Sequence, residues 1–138
     1  MVEIKIDYLG ELRCLAHHGP SGETMKTDAP LDNNGRGEFF SPTDLLAAAL
    51  GTCMETIMGI TAARKEVSLE GLRIIVQKNM SEDLPRRIAS LAVDIYMPIS
   101  EDHPEKKLLQ SAALSCPVHH SLHPDIEIPI RWFWTDSI

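Results

Sequence analysis

Apolar and polar residues alternate along the first part of the chain, as they do in strands that bury one face. The alternation runs from residue 2 to residue 8 and, after a turn at Gly10, from residue 12 to residue 17. A shorter third strand is expected near Thr24 to Thr27, after the turn Gly19–Gly22. Residues 28–37 are rich in Pro, Asn and Gly and have no apolar period. The pattern predicts an antiparallel meander followed by a loop.

The apolar period changes to three and four residues after Ser41, as in an amphipathic helix. Ser41, Pro42 and Asp44 have the residue types of a helix start: a hydroxyl N-cap, a proline at the first helical position and an acid at N3. These residues predict a helix that ends near Lys65. Its predicted apolar stripe consists of Leu46, Leu50, Cys53, Ile57 and Ile60.

The second half of the chain alternates strand and helix periods. The period of two that is typical of strands occurs at residues 72–76, 91–97 and 126–134. Helical stretches are predicted at residues 104–115 and 117–124. Ser81–Pro85 is the expected hairpin turn between the first two strands. Pro129 indicates an edge position or a bulge in the last strand. The predicted order is βββ–α–ββ–αα–β, an α+β fold in which most strand pairs are hairpins.

Length and composition fit one folded domain over residues 1–138. Hydrophobic residues make up 43% of the chain and charged residues 24%, which argues against disorder. The net charge of −7 repels nucleic acids and anionic lipid heads, so no nucleic-acid partner is expected. The longest apolar run, Leu45–Gly51, is far shorter than the roughly 20 residues of a membrane span. Because Met1–Ile6 alternates like a strand and does not resemble a signal peptide, we expect a cytoplasmic protein with no membrane partner.

Three cysteines are the main candidates for chemistry. Cys116 precedes Pro117 and is predicted at the N-cap of a short helix, where the helix dipole is expected to lower the thiol pKa. Cys53 lies in the middle of the long helix, a position at which a thiol is usually part of the packing. Of the three cysteines, Cys14 is the most typical of a thiol that is simply packed in the core. The odd number and wide spacing argue against a structural disulfide framework.

Other chemical motifs are weak or absent from the sequence. Cys116 with His119 or His120 has a spacing that can share one metal ion, but no second ligand pair accompanies it. The chain has no G-x-S-x-G elbow, no Walker loop and no G-x-G-x-x-G segment. We therefore predict no metal and no cofactor.

Two segments together resemble the OsmC/Ohr family. They are Ser41–Cys53, with the sequence SPTDLLAAALGTC, and Cys116–Leu122, with the sequence CPVHHSL. The resemblance implies an intertwined homodimer in which antiparallel sheets wrap around long central helices. It also implies a cofactor-free thiol peroxidase of oxidative-stress defence. The expected substrate is an organic hydroperoxide, with inorganic peroxide as an alternative, and the expected reductant is a dithiol or lipoyl-type thiol.

The resemblance also assigns roles to individual residues. Cys53 corresponds to the peroxidatic cysteine, whose thiolate becomes a sulfenic acid, and Cys116 to the resolving cysteine, which converts it to a disulfide. A thiol on an apolar helix face needs a nearby cation to ionise. Arg13, on the opposite strand face from Cys14, matches the family's arginine, and Arg36 is the alternative.

The sequence departs from the Ohr pattern at the acid that orients this arginine. The Ohr glutamate that follows the helix-start proline is replaced by Thr43. Glu38 and Asp44 are the possible substitutes, and Asp44 is better explained as a capping acid.

Two other functions remain open at this stage. One is a non-catalytic binder of a small apolar molecule with packed, inert thiols. The other is a thiol redox sensor in which oxidation alters the dimer.

Overall fold

A computed structural model describes residues 1–135 and confirms the α+β class. The chain forms two compact units, residues 1–46 and residues 47–138, which are considered separately. The element order agrees with the predicted βββ–α–ββ–αα–β, with a short 3₁₀ helix, Leu31–Asn33, added in the loop after the third strand. The single domain over 1–138 stays a prediction.

The N-terminal unit contains the predicted meander. Strands β1 (Ile4–Gly10), β2 (Arg13–His18) and β3 (Thr24–Asp28) form an antiparallel sheet in the order β1-β2-β3. Arg13 is paired in register with Asp28. Because directly opposite residues lie on the same face of an antiparallel pair, this register places the two side chains together.

One face of this sheet is apolar and exposed. Alternate residues of β1 and their neighbours across the sheet share this face. Its largest side chains are more than two-fifths exposed: Ile4, Ile6, Tyr8 and Met25. The buried residues of the N-terminal unit before the long helix are Thr27, Asp28 and Ser41, all of them polar. The N-terminal unit therefore exposes the apolar surface that a strand of this pattern normally buries.

The long helix α1 (Pro42–Arg64) begins with the predicted capping box. The Ser41 Oγ accepts the Asp44 N–H at 3.1 Å, and the Asp44 carboxylate accepts the Ser41 N–H at 3.0 Å. These two bonds satisfy donors that the first helical turn leaves free. The capping role predicted for Asp44 is confirmed.

The predicted apolar stripe of α1 is only partly correct. Leu50 is fully buried, and Cys53 and Ile57 are partly buried, but Leu46 and Ile60 are exposed. The buried face is rotated away from the predicted stripe and consists of Ala47, Leu50, Gly51, Met54, Met58 and Ala62. Apolar character alone does not show whether the chain itself covers a residue, and this accounts for the difference.

Helix α1 also meets the length and hydropathy criteria of a membrane span. It has 23 residues and a mean hydropathy of 1.5, because small neutral residues extend the short apolar run. The core helix of a soluble protein passes the same test. Six residues of α1 are buried, and 33% of its most apolar window is buried.

The C-terminal unit has a second three-stranded sheet of mixed direction. Strands β4 (Arg73–Met80) and β5 (Ile88–Tyr96) form the predicted hairpin. Strand β6 (Ile130–Phe133) is shorter than expected and pairs with β5 in parallel. The crossover between β5 and β6 contains helices α2 (Lys106–Leu114) and α3 (Pro117–Ser121). A parallel pair requires such a crossover connection. The sequence pattern predicted the helices of the connection but did not predict that β6 pairs with β5 in parallel.

The hydrophobic core of the C-terminal unit joins α1, β5 and α2. Leu50, Met54 and Met58 of α1 are fully buried, as are Leu91 of β5 and Ala113 of α2. Gly51 allows the close approach of β4, because a Cβ there would lie 3.2 Å from the Val76 side chain. Cys53 packs against this core, and Cys116 is part of it.

Gly35 is expected to tolerate no side chain. A Cβ at this position would lie 1.7 Å from the Ala29 carbonyl oxygen, so Gly35→Ala must displace loop backbone. We expect Gly35→Ala to lower the free energy of unfolding by about 2 kcal/mol. The matched control is Gly59→Ala in α1, where a Cβ meets nothing within 4 Å and helix propensity favours alanine by about 0.5–1 kcal/mol. Urea denaturation of both variants measures the difference, and equal stabilities would contradict the prediction.

Candidate active site

The structure places two of the predicted site residues, Cys53 and Cys116, close together in the C-terminal unit. Cys53 lies on the half-buried side of α1, and Cys116 lies between α2 and α3 with no exposed surface. Cys53 packs against the core cluster that contains Cys116 and lies close enough to raise the pKa of the Cys116 thiol. Both cysteines are reduced. Formation of a disulfide requires two thiols that lie near each other in this way.

Cys116 is the N-cap of α3, as predicted. Its Sγ accepts the His119 N–H at 3.2 Å, and Pro117 occupies the start of the helix. The expected lowering of its pKa was wrong, because burial raises the pKa of the Cys116 thiol above the ordinary value of 9.0. The neighbouring Cys53 raises this pKa further, while the backbone N–H groups of His119 and Val118 lower it. Burial therefore opposes ionisation of the Cys116 thiol.

The burial and the raised pKa of Cys116 predict the order in which the two cysteines are alkylated. The Cys116 thiol is buried and its pKa is raised, so little of it is ionised near neutral pH. At pH 8, iodoacetamide should label the more accessible Cys53 first and Cys116 only slowly. The site of labelling can be followed by peptide mass spectrometry over time. Faster labelling of Cys116 than of Cys53 in the folded protein would contradict the prediction.

The N-terminal unit holds the predicted arginine and acid together. The Arg13 Nη2 donates to the Glu38 Oε1 at 2.7 Å, and its guanidinium lies 5.2 Å from the centre of the Phe39 ring. The Arg13 side chain is 22% exposed, and the Glu38 side chain is 51% exposed. Arg36, the alternative arginine, is exposed in the preceding loop.

A second acid, Asp28, lies beside Arg13 and was not among the predicted site residues. Its Oδ2 is 3.8 Å from the Arg13 Nη2, and its side chain has no exposed surface. Because the sequence pattern assigned Asp28 to the loop, the strand pairing between Asp28 and Arg13 was missed. Continuing the period of two by one residue, from Thr27 to Asp28, would have found it.

The remaining candidate residues have structural explanations or are peripheral. Asp44 belongs to the helix cap, and the Thr43 Oγ1 lies 3.3 Å from the Ser41 Oγ within the same cap. Cys14 was expected in a core but is only half-buried in β2. Within residues 1–135, no group of three or more His, Cys, Asp or Glu side chains could hold a metal ion.

Comparison with known proteins identifies a family whose model spans both cysteines. A family model described as OsmC-like protein matches residues 35–131, a range that includes both Cys53 and Cys116 and begins after Arg13. A crystal structure from Psychrobacter arcticus, named for a proposed osmotic stress and detoxification response, is 42% identical, covers 96% of each chain and has a TM-score of 0.88. No curated protein matches the sequence.

More distant crystal structures share the fold. An organic hydroperoxide resistance protein OsmC from Legionella pneumophila is 15% identical, covers 96% of each chain and has a TM-score of 0.78. An organic hydroperoxide resistance protein from Elizabethkingia anophelis is 11% identical, with 98% of this chain and 96% of that chain covered, and its TM-score is also 0.78.

Proposed function

The chain belongs to the OsmC-like protein family, and on this premise we propose that it is a two-cysteine thiol peroxidase that reduces organic hydroperoxides. The OsmC/Ohr resemblance read from its sequence is confirmed. Some members of the family are hydroperoxide reductases. The observation that carries the proposal is the proximity of the two cysteines, since Cys53 packs against the cluster that contains Cys116 and raises the pKa of its thiol. The physiological role that we propose is defence against oxidative stress.

In the first step Cys53 attacks the peroxide. Its thiolate forms a bond to the distal oxygen of the hydroperoxide, and the O–O bond breaks. The alkoxide leaves and takes up a proton to become the alcohol, while Cys53 becomes a sulfenic acid. The buried Cys116 supports this step, because its retained S–H can donate to the Cys53 sulfur while that sulfur is anionic.

In the second step Cys116 resolves the sulfenic acid. Its sulfur bonds to the Cys53 sulfur, and the sulfenic hydroxyl leaves as water together with the Cys116 proton. Oxidation of Cys53 removes its negative charge, which is one cause of the raised Cys116 pKa. The His119 N–H then remains to stabilise the Cys116 thiolate. The chemistry of the first step thus activates the nucleophile of the second.

We propose that Arg13 supplies the cation for this chemistry and that Glu38 orients it. A guanidinium can stabilise a thiolate and hold a peroxide oxygen at the same time. The support is the Arg13–Glu38 contact of 2.7 Å, which fixes one edge of the guanidinium. Both acidic contacts of Arg13 use Nη2, so its other nitrogens have no acidic partner among the residues described.

We propose that the working protein is an intertwined homodimer, as is typical of this family. The support is the apolar surface left exposed in each unit. In the N-terminal unit it is the sheet face that contains Ile6 and Tyr8. In the C-terminal unit it includes Ile60 of α1 and Leu114 of α2. Sedimentation equilibrium tests the dimer, with an expected mass of about twice 15.3 kDa.

The substrate and reductant follow from the same chemistry. The apolar side chains of α1 favour an organic hydroperoxide over inorganic peroxide. The Cys53–Cys116 disulfide requires two reducing equivalents, which a dithiol or lipoyl-type reductant supplies by thiol–disulfide exchange. Such chemistry fits a cytoplasmic location, where thiol reductants keep cysteines reduced.

The test is the fate of the two thiols after one equivalent of cumene hydroperoxide. Peptide mass spectrometry of the reduced protein should show a Cys53–Cys116 disulfide, and one equivalent of cumyl alcohol should appear. The Cys116→Ser variant should instead accumulate sulfenic acid on Cys53, which dimedone traps. Cys14→Ser is the matched control, because Cys14 lies in the other unit and has no proposed role.

The same experiment distinguishes the other two functions. Thiols that stay reduced while a control peroxidase is oxidised would indicate the non-catalytic binder. A disulfide that forms but is not reduced by dihydrolipoamide, dithiothreitol or thioredoxin would indicate the redox sensor. Either result would overturn the peroxidase proposal.

A further inference from the structure

The carboxylate of Asp28 is the most deeply buried acidic group of the N-terminal unit. Asp28 is 1% exposed, whereas the neighbouring Glu38 side chain is 51% exposed. Transfer of a carboxylate from water into a protein interior is costly unless a cation and hydrogen bonds compensate. Within residues 1–135 the one cation paired with Asp28 is Arg13. The charge of Asp28 is therefore directed to that guanidinium.

Closure of the loop explains only part of this arrangement. The Asp28 Oδ2 accepts the Glu38 N–H at 3.1 Å, and the Asp28 N–H donates to the Phe40 carbonyl at 3.2 Å. These bonds join the two ends of the loop, but an asparagine could make both of them. A neutral amide would also avoid the cost of burying a charge. Loop closure therefore does not explain why residue 28 carries a negative charge.

The polar atoms of the cluster are not fully satisfied. The Asp28 Oδ1 and the Arg13 Nε are both buried and have no hydrogen-bond partner among the residues described. A pair selected only for stability would use the two-bond geometry that carboxylate and guanidinium favour. Here the two groups meet through Nη2 alone. This geometry holds the Nη2 end of the guanidinium and leaves the buried Nε without a hydrogen-bond partner among the residues described.

We propose that Asp28 is a second positioning residue for Arg13 in peroxide reduction, beside Glu38. It acts through two contacts: directly on the Arg13 Nη2, and through the Glu38 backbone, whose N–H it accepts. The Glu38 carboxylate lies closer to Arg13 but is half-exposed, so water and salt screen its contribution. The inference rests on the proposed peroxidase function and adds a residue that the sequence motifs do not include.

Asp28→Asn tests the charge while keeping the size and the acceptor for the Glu38 N–H. We expect the second-order rate constant for cumene hydroperoxide to fall about tenfold or more. In an Arg13→Ala background the same substitution should have almost no further effect, because a positioning residue acts only through the group it positions. A role restricted to loop closure would give additive losses, and additivity would overturn the inference.

The pH profile of the rate provides a readout that loop closure alone would not change. If Asp28 holds Arg13 in place for the thiolate, Asn at this position should raise the apparent pKa of the rate toward that of Arg13→Ala. If Asp28 only neutralised the positive charge of Arg13, the apparent pKa of the rate would be lower in Asp28→Asn than in the wild type. A fall or an unchanged value would contradict the inference.

Two further variants keep the test independent of folding and of the proposed function. Glu38→Gln should lower the rate by only about threefold, and a larger loss than that of Asp28→Asn would overturn the inference even if the latter folded poorly. Asp7→Asn, at an exposed ion pair with His17 in the same sheet, should leave the rate unchanged. A wild-type protein that does not reduce peroxide would refute the function, whereas an active wild type with a fully active Asp28→Asn would refute only the inference.

Discussion

Cys53→Ser should lower the rate of hydroperoxide reduction by at least about a thousandfold, equivalent to about 4 kcal/mol in the activation barrier. A serine hydroxyl is not ionised at neutral pH and cannot replace the thiolate as the attacking atom. The substitution should cost little stability, because Cys53 is only half-buried and serine is close to it in size. Stopped-flow measurement of cumene hydroperoxide consumption gives the rate constant.

The comparison with Cys116→Ser makes this result specific. That variant retains the attacking thiol, so a single turnover should proceed and then stop at the sulfenic acid of Cys53. Multiple turnovers should be lost in both variants, whereas the first turnover should be lost only in Cys53→Ser. A normal first turnover in Cys53→Ser would show that another group attacks the peroxide.

Arg13→Ala should lower the same rate constant by about a hundredfold, or about 2.7 kcal/mol. Without the guanidinium, neither the proposed thiolate nor the departing alkoxide has a cation to stabilise it. The substitution also leaves Asp28 buried with no paired cation, so some loss of stability is expected. Arg13→Lys keeps the charge, should fold normally and should recover only part of the rate, because an ammonium lacks the planar set of donors.

Arg36→Ala is the matched control for this experiment. Arg36 is exposed and lies in the loop between β3 and α1. It is the alternative to Arg13 that the sequence indicated. Its replacement should change the rate by less than a factor of about two. If Arg36→Ala lost the rate and Arg13→Ala retained it, the assignment of the arginine would be reversed.

Local sequence signals predicted the parts of the fold that depend on short-range chemistry. The capping box of Ser41 and Asp44 was evident because both partners lie within one turn. The N-cap position of Cys116 followed in the same way from Pro117. Motif resemblance then predicted the family, which the family model over residues 35–131 confirms.

Features that depend on distant residues were not predictable in this way. The parallel pairing of β6 depends on the path of the crossover, which no local pattern encodes. The raised pKa of Cys116 depends on burial and on Cys53, which outweigh the effect of the helix terminus. Leu46 and Ile60 looked like core residues because periodicity reports that a face is apolar and does not report what covers it.

The parallel pairing of β6 with β5 also has a consequence for synthesis and folding. The β4–β5 hairpin is local and can form early, whereas β6 pairs only after the long segment from Tyr96 to Ile130 has closed. Cys116 lies within that segment, next to α3. A chain still emerging from the ribosome therefore carries Cys53 without its partner. The proposed redox pair can therefore form only after the crossover segment that contains Cys116 has been synthesised.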